Sequence, residues 1–408
     1  MKSCRAREEG AAVGRRGVTG IASRGVNITQ VARAAGVGTG TVSRVLNDSA
    51  NVRPTTRARV LEVIERLDYH PSRLASGLSR GSPRTVAIVV PFMTRPSVVE
   101  RLAGAISVLD EHGYDTVVLN VETAEQRDRH LKSLTARHRA DGVVVLSIPI
   151  PATFLAAFRK ARIPVVLVDT EAPGLPRTIA DDARGGRLAT EHLIALGHRR
   201  IGFVGDLGFE GIGNHSTRQR FSGYRAALQA ARIPYDGALV RQGSHGAATS
   251  SLLAEELLGL ADPPTAIFAI SDTQAIGVLA AADRMGVEVP GDLSVVGYDD
   301  VEAAALLGLT TVRQPLKESG ARGAERLCLL LRHERVRPLR EELPLEIVAR
   351  TSSAPPAAGA GTVRAAGGGS AGRQNAFGTS GDHERRVRGE HRQLLSEQPE
   401  LHRLAAER

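Results

Sequence analysis

The chain has 408 residues, 42% of them hydrophobic and 24% charged, with a formal net charge of +9. That length suits two or three domains with a sizeable core. Two cysteines, Cys4 and Cys328, exclude a disulfide framework or a cysteine-based zinc site, and no apolar run of about 18 residues suggests a membrane span.

The charge is concentrated at one end. Residues 1–84 hold 15 Lys/Arg against 6 Asp/Glu, whereas residues 85–351 carry a net charge of −2. Clustered cations suit a nucleic-acid module, because phosphate contacts need them; a solvated basic tail would have the same balance. The early arginines (Arg5, Arg7, Arg15, Arg16) are not followed by an apolar segment of secretory type. Low cysteine use fits a reducing, cytoplasmic setting.

Residues 1–26 lack a sustained period and read as a disordered basic extension. From Asn27 the pattern turns helical. Asn27 can cap a helix from Ile28, with Gln30 placed to complete a capping box, and Ile28, Val31, Ala32 and Ala35 share one face. Gly36 permits a sharp turn. A second helix, Thr39 to Leu46, buries Val42, Val45 and Leu46. A third opens on Pro54, with Val60, Val63, Ile64 and Leu67 at i, i+3, i+4 and i+7. The outward face of the second helix carries Thr39, Gly40, Thr41, Ser43 and Arg44, with no carboxylate. Such a face fits a major groove, with Arg44 able to fork onto guanine and the hydroxyls to reach phosphates. A plain helical hairpin with a solvated polar face remains the other reading of this spacing.

Residues 72–84 read as a linker after Tyr69-His70-Pro71, since the residue before proline avoids the helical region. Residues 85–351 alternate short β-branched runs with helical segments. The runs are Thr85–Val90, Asp115–Leu119, Gly142–Leu146, Pro164–Val168, Arg200–Gly205, Ala266–Ala269 and Leu293–Gly297. These imply parallel sheets buried on both faces. The series restarts after about residue 181, which predicts two doubly wound α/β lobes with a cleft between them. Segments after Leu309 can cross back and tie the lobes together. Residues 352–408 read as a low-complexity tail.

An enzyme would need a paired nucleophile and base, a metal cluster or a phosphate loop. The stretch Gly202-Phe203-Val204-Gly205-Asp206-Leu207-Gly208 does not match a dinucleotide fingerprint, and no spacing links Ser271, Asp272 and His192 into a triad. His192 reads as a packed helix residue and His198 as part of a turn. The sequence suggests no cofactor and no metal.

ITQVARAAGVGTGTVSRVLN, with RPTTRARVLEVIERLDYHPSRLASGLSRG after it, resembles the helix-turn-helix headpiece and hinge of the lactose-repressor (LacI/GalR) family. ADDARGGRLATEHLIALGHRRIGFVG, RQRFSGYRAAL, AIFAISDTQAIGVL and LSVVGYDD resemble the same family's periplasmic-binding-protein-like core. The resemblance implies a helix-turn-helix DNA-binding domain over residues 27–71, a hinge over 72–84, and a two-lobed effector-binding and dimerisation domain over 85–351. It implies DNA contacts from Thr39, Gly40, Thr41, Ser43, Arg44 and Asn47, with Arg73 in the hinge and Leu78 wedging into the minor groove. It further implies a cytoplasmic repressor that binds a pseudo-palindromic double-stranded operator as a homodimer, controlled by a sugar or similar small molecule. Arg220 matches the effector-gripping arginine and Asp299 an acceptor for ligand hydroxyls, although an ion pair is the other use for both. Ser271 stands where members often have Asn. Asp272 would cap a helix or touch ligand, and Asp181 would lie at the cleft mouth. Gly38, where members usually have Ser, and Gly40, with no side chain, depart from the pattern.

Overall fold

A computed structural model of the chain describes residues 26–46, 49, 51–69, 84–137, 139–206, 212 and 214–357. The expectations for residues 1–25, for most of the hinge and for the tail beyond residue 357 lie outside the described residues. The chain divides into two compact units between Pro83 and Arg84.

The first unit contains α1 (Ile28–Ala35), α2 (Thr39–Leu46) and α3 (Pro54–Arg66). The capping box forms as the sequence predicts. The Gln30 backbone N–H donates to Asn27 Oδ1 at 3.0 Å, and the Asn27 N–H donates to Gln30 Oε1 at 2.8 Å. Gly36 ends α1 in the left-handed region at φ 65°, where a side chain would be strained. Val31, Ala32 and Ala35 of α1 pack on Val42 and Val45 of α2 and on Val60 and Val63 of α3, with Tyr69 closing the cluster. No one of these helices is long enough to stand alone in water, so each depends on this shared core.

The second unit has two lobes, each a six-stranded sheet covered on both faces. The first lobe holds β1 (Thr85–Pro91), α4 (Pro96–Glu111), β2 (Asp115–Val121), α5 (Ala124–Arg137), β3 (Gly142–Leu146), α6 (Ala152–Ala161), β4 (Val165–Val168) and β5 (Arg177–Ala180). The chain then enters the second lobe through α7 (Asp182–Ala195), β6 (Ile201–Gly205), α8 (Asn214–Ala230), β7 (Val240–Gln242), α9 (Ala247–Leu258), β8 (Ala266–Ala269), α10 (Asp272–Met285), β9 (Ser294–Asp299), α11 (Glu302–Leu306) and β10 (Thr310–Arg313). It returns for α12 (Leu316–Leu331) and β11 (Arg340–Leu343), then crosses once more to β12 (Glu346–Val348). The sheet orders are β2-β1-β3-β4-β5-β11 and β7-β6-β8-β9-β10-β12. All neighbours are parallel except β10 and β12.

The apolar runs explain the layering. In β1, Val86, Ile88 and Val90 face the cluster under α4 and α12, while Ala87 and Val89 face the opposite cluster with α5 and α6 residues Leu131, Leu134 and Phe158. In the second lobe, Phe203 and Phe268 pack against Tyr224 and Leu228 of α8, whereas Val204, Ile267 and Ala269 pack against α9 and α10. Ile212 follows β6 in the chain yet is buried in the first lobe's cluster.

Ser352 to Ala354, assigned by sequence to the tail, belong to the second lobe. The Thr310 N–H donates to Ser352 Oγ at 2.8 Å, and the Ala354 carbonyl lies 2.9 Å from His198 Nε2. His198 Nδ1 lies 2.9 Å from Thr265 Oγ1, and His192 Nε2 lies 2.9 Å from Ser353 Oγ. Both histidines are therefore structural, and burial lowers the pKa of each.

Candidate nucleic-acid interface and effector cleft

On α2, Thr39, Gly40 and Arg44 are exposed and Thr41 and Ser43 half-buried, while Val42 and Val45 hold the helix to its core. The exposed face carries one guanidinium and no acid. The Gly38 carbonyl accepts the Thr41 N–H at 2.9 Å and so opens the helix without a capping side chain. A Cβ at Gly38 or Gly40 would meet nothing within 4 Å. The fold of this unit does not require glycine at either place, and the bare backbone leaves room for a close approach from outside. Asn47, Arg73 and Leu78 lie outside the described residues.

In the second unit, strand order reverses between the paired strands β1 and β3 of the first sheet and between β6 and β8 of the second, which makes these the switch points. The carboxyl ends of strands at such points form crevices. Here Pro91 and Ser147 of the first lobe and Asp206, Ile270 and Ser271 of the second border one cleft of roughly 540 Å³, open to solvent. Arg95 and Arg101 from the start of α4, Asp169, Arg220, His245 and Asp299 complete its polar wall.

A chain of polar contacts runs through this wall from lobe to lobe. The Ser147 hydroxyl donates to Asp169 at 2.7 Å, and Arg101 pairs with Asp169 at 3.2 Å. Arg101 also donates to Gln314 Oε1 at 3.0 Å, and Gln314 donates to Asp299 Oδ1 at 2.6 Å. Gln314 belongs to the returning crossover, so the chain of contacts passes through one of the connections between the lobes. Asp299 lies 3.8 Å from Arg220, which pairs with Asp182 at 2.8 Å, donates to the Ile270 carbonyl at 2.6 Å and stacks on Tyr298 at 3.7 Å from its centroid. Burial works against the Arg220 charge, but Asp182, Tyr298 and Asp299 outweigh it and hold the pKa above the ordinary arginine value. For Asp299, burial dominates and raises the pKa despite Arg220 and Arg101. Burial also opposes the charge of Asp206, yet His245, Thr217 and Arg95 together bring its pKa below the usual carboxylate range.

Asp299 and Asp300 have φ of 118° and 60°. Side chains rarely adopt such values, and each costs about 1–3 kcal/mol unless neighbours enforce it. Here they do. Gln314 holds Asp299, while Arg313 and Arg350 hold Asp300 at 2.6 and 2.7 Å.

The structure thus brings Arg220, Asp299 and Ser271 together at the cleft and makes Arg220 and Asp299 neighbours in an ion pair as well. Two other expected residues stand elsewhere. Asp181 is the N-cap of α7, accepting the Arg184 N–H at 2.9 Å, and does not line the cleft. Asp272 neither caps α10 nor faces the cleft. Ser271 is the N-cap, and Asp272 is fully buried behind it, accepting from Val301 N–H at 2.9 Å and Thr311 Oγ1 at 2.6 Å. The sequence reading missed Asp182, Arg101, Asp169, Asp206 and His245 as site residues.

Burial pushes the Asp272 pKa up to about 7. An unfolded aspartate titrates near 4, so between about pH 4 and 7 the unfolded chain has released a proton that the folded one keeps. This residue therefore makes stability fall as pH rises through that window, with no further loss above it. Asp272→Asn stays neutral, and its amide can accept from Val301 while donating to Thr311. The melting temperature of the variant relative to the parent is expected to rise between pH 4.5 and 7.5; a flat difference would refute the account of Asp272.

A model of the lacI family of bacterial regulatory proteins matches residues 27–72, and one of a periplasmic binding protein-like domain matches residues 190–353. Catabolite control protein A of Priestia megaterium is 31% identical over 332 residues, covering 80% of this chain and 99% of that protein. The chain belongs to the lacI family of bacterial regulatory proteins. Among solved structures, it is similar to a lac repressor dimer bound to operator and the anti-inducer ONPF, with a TM-score of 0.70 and 27% identity over 81% of this chain and 99% of that one. It is also similar to a transcriptional regulator CelR–cellobiose complex, with a TM-score of 0.59 and 31% identity over 80% and 100% of the two chains. As a lacI-family member the protein is a DNA-binding transcriptional regulator. Its helix-turn-helix unit is the headpiece, and its two-lobed unit is the effector-binding, periplasmic-binding-protein-like core. Among the described residues no helix is long and apolar enough to cross a membrane.

Proposed function

We propose that this lacI-family chain is a cytoplasmic repressor that binds a pseudo-palindromic operator as a homodimer and is controlled by a sugar-like molecule held between its lobes. The observation that carries the proposal is the convergence of both sheets' carboxyl strand ends on one polar cleft in a chain that also has a helix-turn-helix unit. The operator-bound lac repressor dimer and the cellobiose complex of CelR support it by similarity. Binding rather than catalysis suits the cleft, because its hydroxyls and carboxylates are tied to one another; the Ser147 hydroxyl, for instance, donates to Asp169 at 2.7 Å.

Thr39, Gly40, Thr41, Ser43, Arg44 and Asn47 read the operator in this proposal, with Arg73 and Leu78 acting in the hinge. Arg220, Asp299 and Ser271 hold the effector. A ligand touching both lobes changes the angle between them, and the Arg101–Gln314–Asp299 contacts sense that change because they span a crossover. The resulting shift between DNA-competent and incompetent states is worth typically about 1–3 kcal/mol.

Arg44→Ala is expected to lower the preference for operator over scrambled duplex by roughly 5–150-fold, the worth of one bidentate guanine contact. Fluorescence anisotropy on the two duplexes at equal salt measures it. An equal loss on both would make Arg44 a phosphate contact and overturn its role as a base reader.

A further inference from the structure

The charges of the cleft wall are almost all internally matched. Asp169 has Arg101 and Ser147, Arg220 has Asp182, Asp299 has Gln314, and Asp206 has the Thr217 hydroxyl at 2.9 Å with His245 at 3.5 Å. Among the described residues Arg95 is the exception. Its guanidinium lies 4.1 Å from the centroid of the Phe92 ring, and it has no hydrogen bond or ion pair with any described residue. Half-buried in the cleft wall, it has its pKa lowered by burial, while Asp206 and Asp299 of the facing lobe act on it only at a distance. A cation withdrawn from water without a counter-charge is costly, and a ligand can supply one.

Arg95 also stands at the N-cap of the 16-residue α4, with Pro96 at its first position and Ser97 beside it in the cleft. The helix start adds partial positive charge on the same wall, while Pro96 has no N–H and the Val98 and Val99 N–H groups already donate to the Arg95 carbonyl at 3.0 Å. The opposite wall presents carboxylates, Asp206 and Asp299, which accept from hydroxyls. The cleft is therefore bipolar, positive on the first lobe and acceptor-rich on the second. A neutral polyol leaves Arg95 unmatched, and an ammonium ligand on the two aspartates sets cation against cation.

We propose that the ligand of this cleft is an acidic polyol, whose carboxylate or phosphate pairs with Arg95 at the start of α4 and whose hydroxyls face Asp206 and Asp299. Arg95 then decides between acidic and neutral ligands. This rests on the reading of the cleft as the effector site. The first-lobe wall selects the anion, and the second-lobe wall orients the carbon chain.

Calorimetric titration of the full chain tests it. The probes are gluconate, galactonate, glucuronate, galacturonate and glucose 6-phosphate, set against glucose, galactose and glucosamine. At least one acid is expected to bind roughly 10–100-fold more tightly than its neutral parent, the range of a charge-assisted contact. The carboxylate and phosphate arms tell which anion fits. Arg95→Gln is expected to erase that preference and Arg95→Lys to keep most of it, with thermal unfolding checking the fold of each. Asp206→Asn is expected to weaken acid and parent alike. Binding of a neutral or amino sugar as tightly as its acid, or an undiminished preference in Arg95→Gln, overturns the acidic-ligand proposal alone. Failure of every probe overturns it together with the cleft reading.

Discussion

Replacing Arg220 by alanine is expected to destabilise the second lobe by about 3–5 kcal/mol and to abolish the response to ligand. The side chain is 9% exposed and that of its partner Asp182 6%. Its removal leaves a buried carboxylate without a counter-charge, and the Ile270 carbonyl loses the donor 2.6 Å away. Stacking on Tyr298 is lost as well. Most of the cost is the stranded Asp182, so Arg220→Ala combined with Asp182→Asn should be more stable than Arg220→Ala alone. The coupling in that double-mutant cycle should fall within about 0.5–3 kcal/mol. Urea unfolding of the four proteins measures it. Additive losses would mean that the pair does not hold the cleft wall.

The second large effect is expected at two glycines. A Cβ on Gly186 of α7 would lie 2.0 Å from the Arg220 carbonyl oxygen, and one on Gly320 of α12 would lie 1.9 Å from that of Arg101. Both cleft arginines are thus seated by a helix that touches their own backbone. Gly186→Val or Gly320→Val must push the paired helices apart by well over an ångström. Overpacking of this kind costs about 1–3 kcal/mol, occasionally more, with a fall in melting temperature of about 2–4 °C per kcal/mol. Ligand affinity should fall too, because the Arg220–Asp182 contact at 2.8 Å and the Arg101–Asp169 contact at 3.2 Å cannot survive such a shift. Gly40→Ala, where the added Cβ meets open space, serves as the contrast, with little change in stability. A Gly186→Val or Gly320→Val protein that melted and bound like the parent would contradict the packing account.

These features differ in how openly the chain announces them. The capping box at Asn27 and the long β-branched runs are local patterns and are legible without a structure. The strands Arg177–Ala180, Val240–Gln242, Thr310–Arg313, Arg340–Leu343 and Glu346–Val348 have only three or four residues and mixed polarity. No period marks them, and only their neighbours make them strands. Asp181 and Asp182 look alike as helix starters, and only the approach of α8 shows that the second, not the first, holds Arg220. Asp272 reads as a cap because the Thr311 and Val301 donors that bury it come from distant segments. Arg101 did leave a signal. It shares the buried face of α4 with Val98, Leu102, Ala105 and Leu109, and a charge in that apolar register calls for a buried partner. Arg95 left none, since its significance is the lack of a partner among the described residues, which only the assembled wall reveals.

In this protein a headpiece that reads sequence is controlled by a cleft that binds a small molecule. Anisotropy titration of the intact protein on the duplex it enriches most from a random-sequence pool and on a scrambled duplex of equal length, at one physiological salt concentration, tests this most directly. At least about a 1,000-fold preference for the genuine site is expected, shifted when a ligand found by the calorimetric screen is added. Equal affinity and equal salt dependence on both duplexes, with or without that ligand, would contradict it.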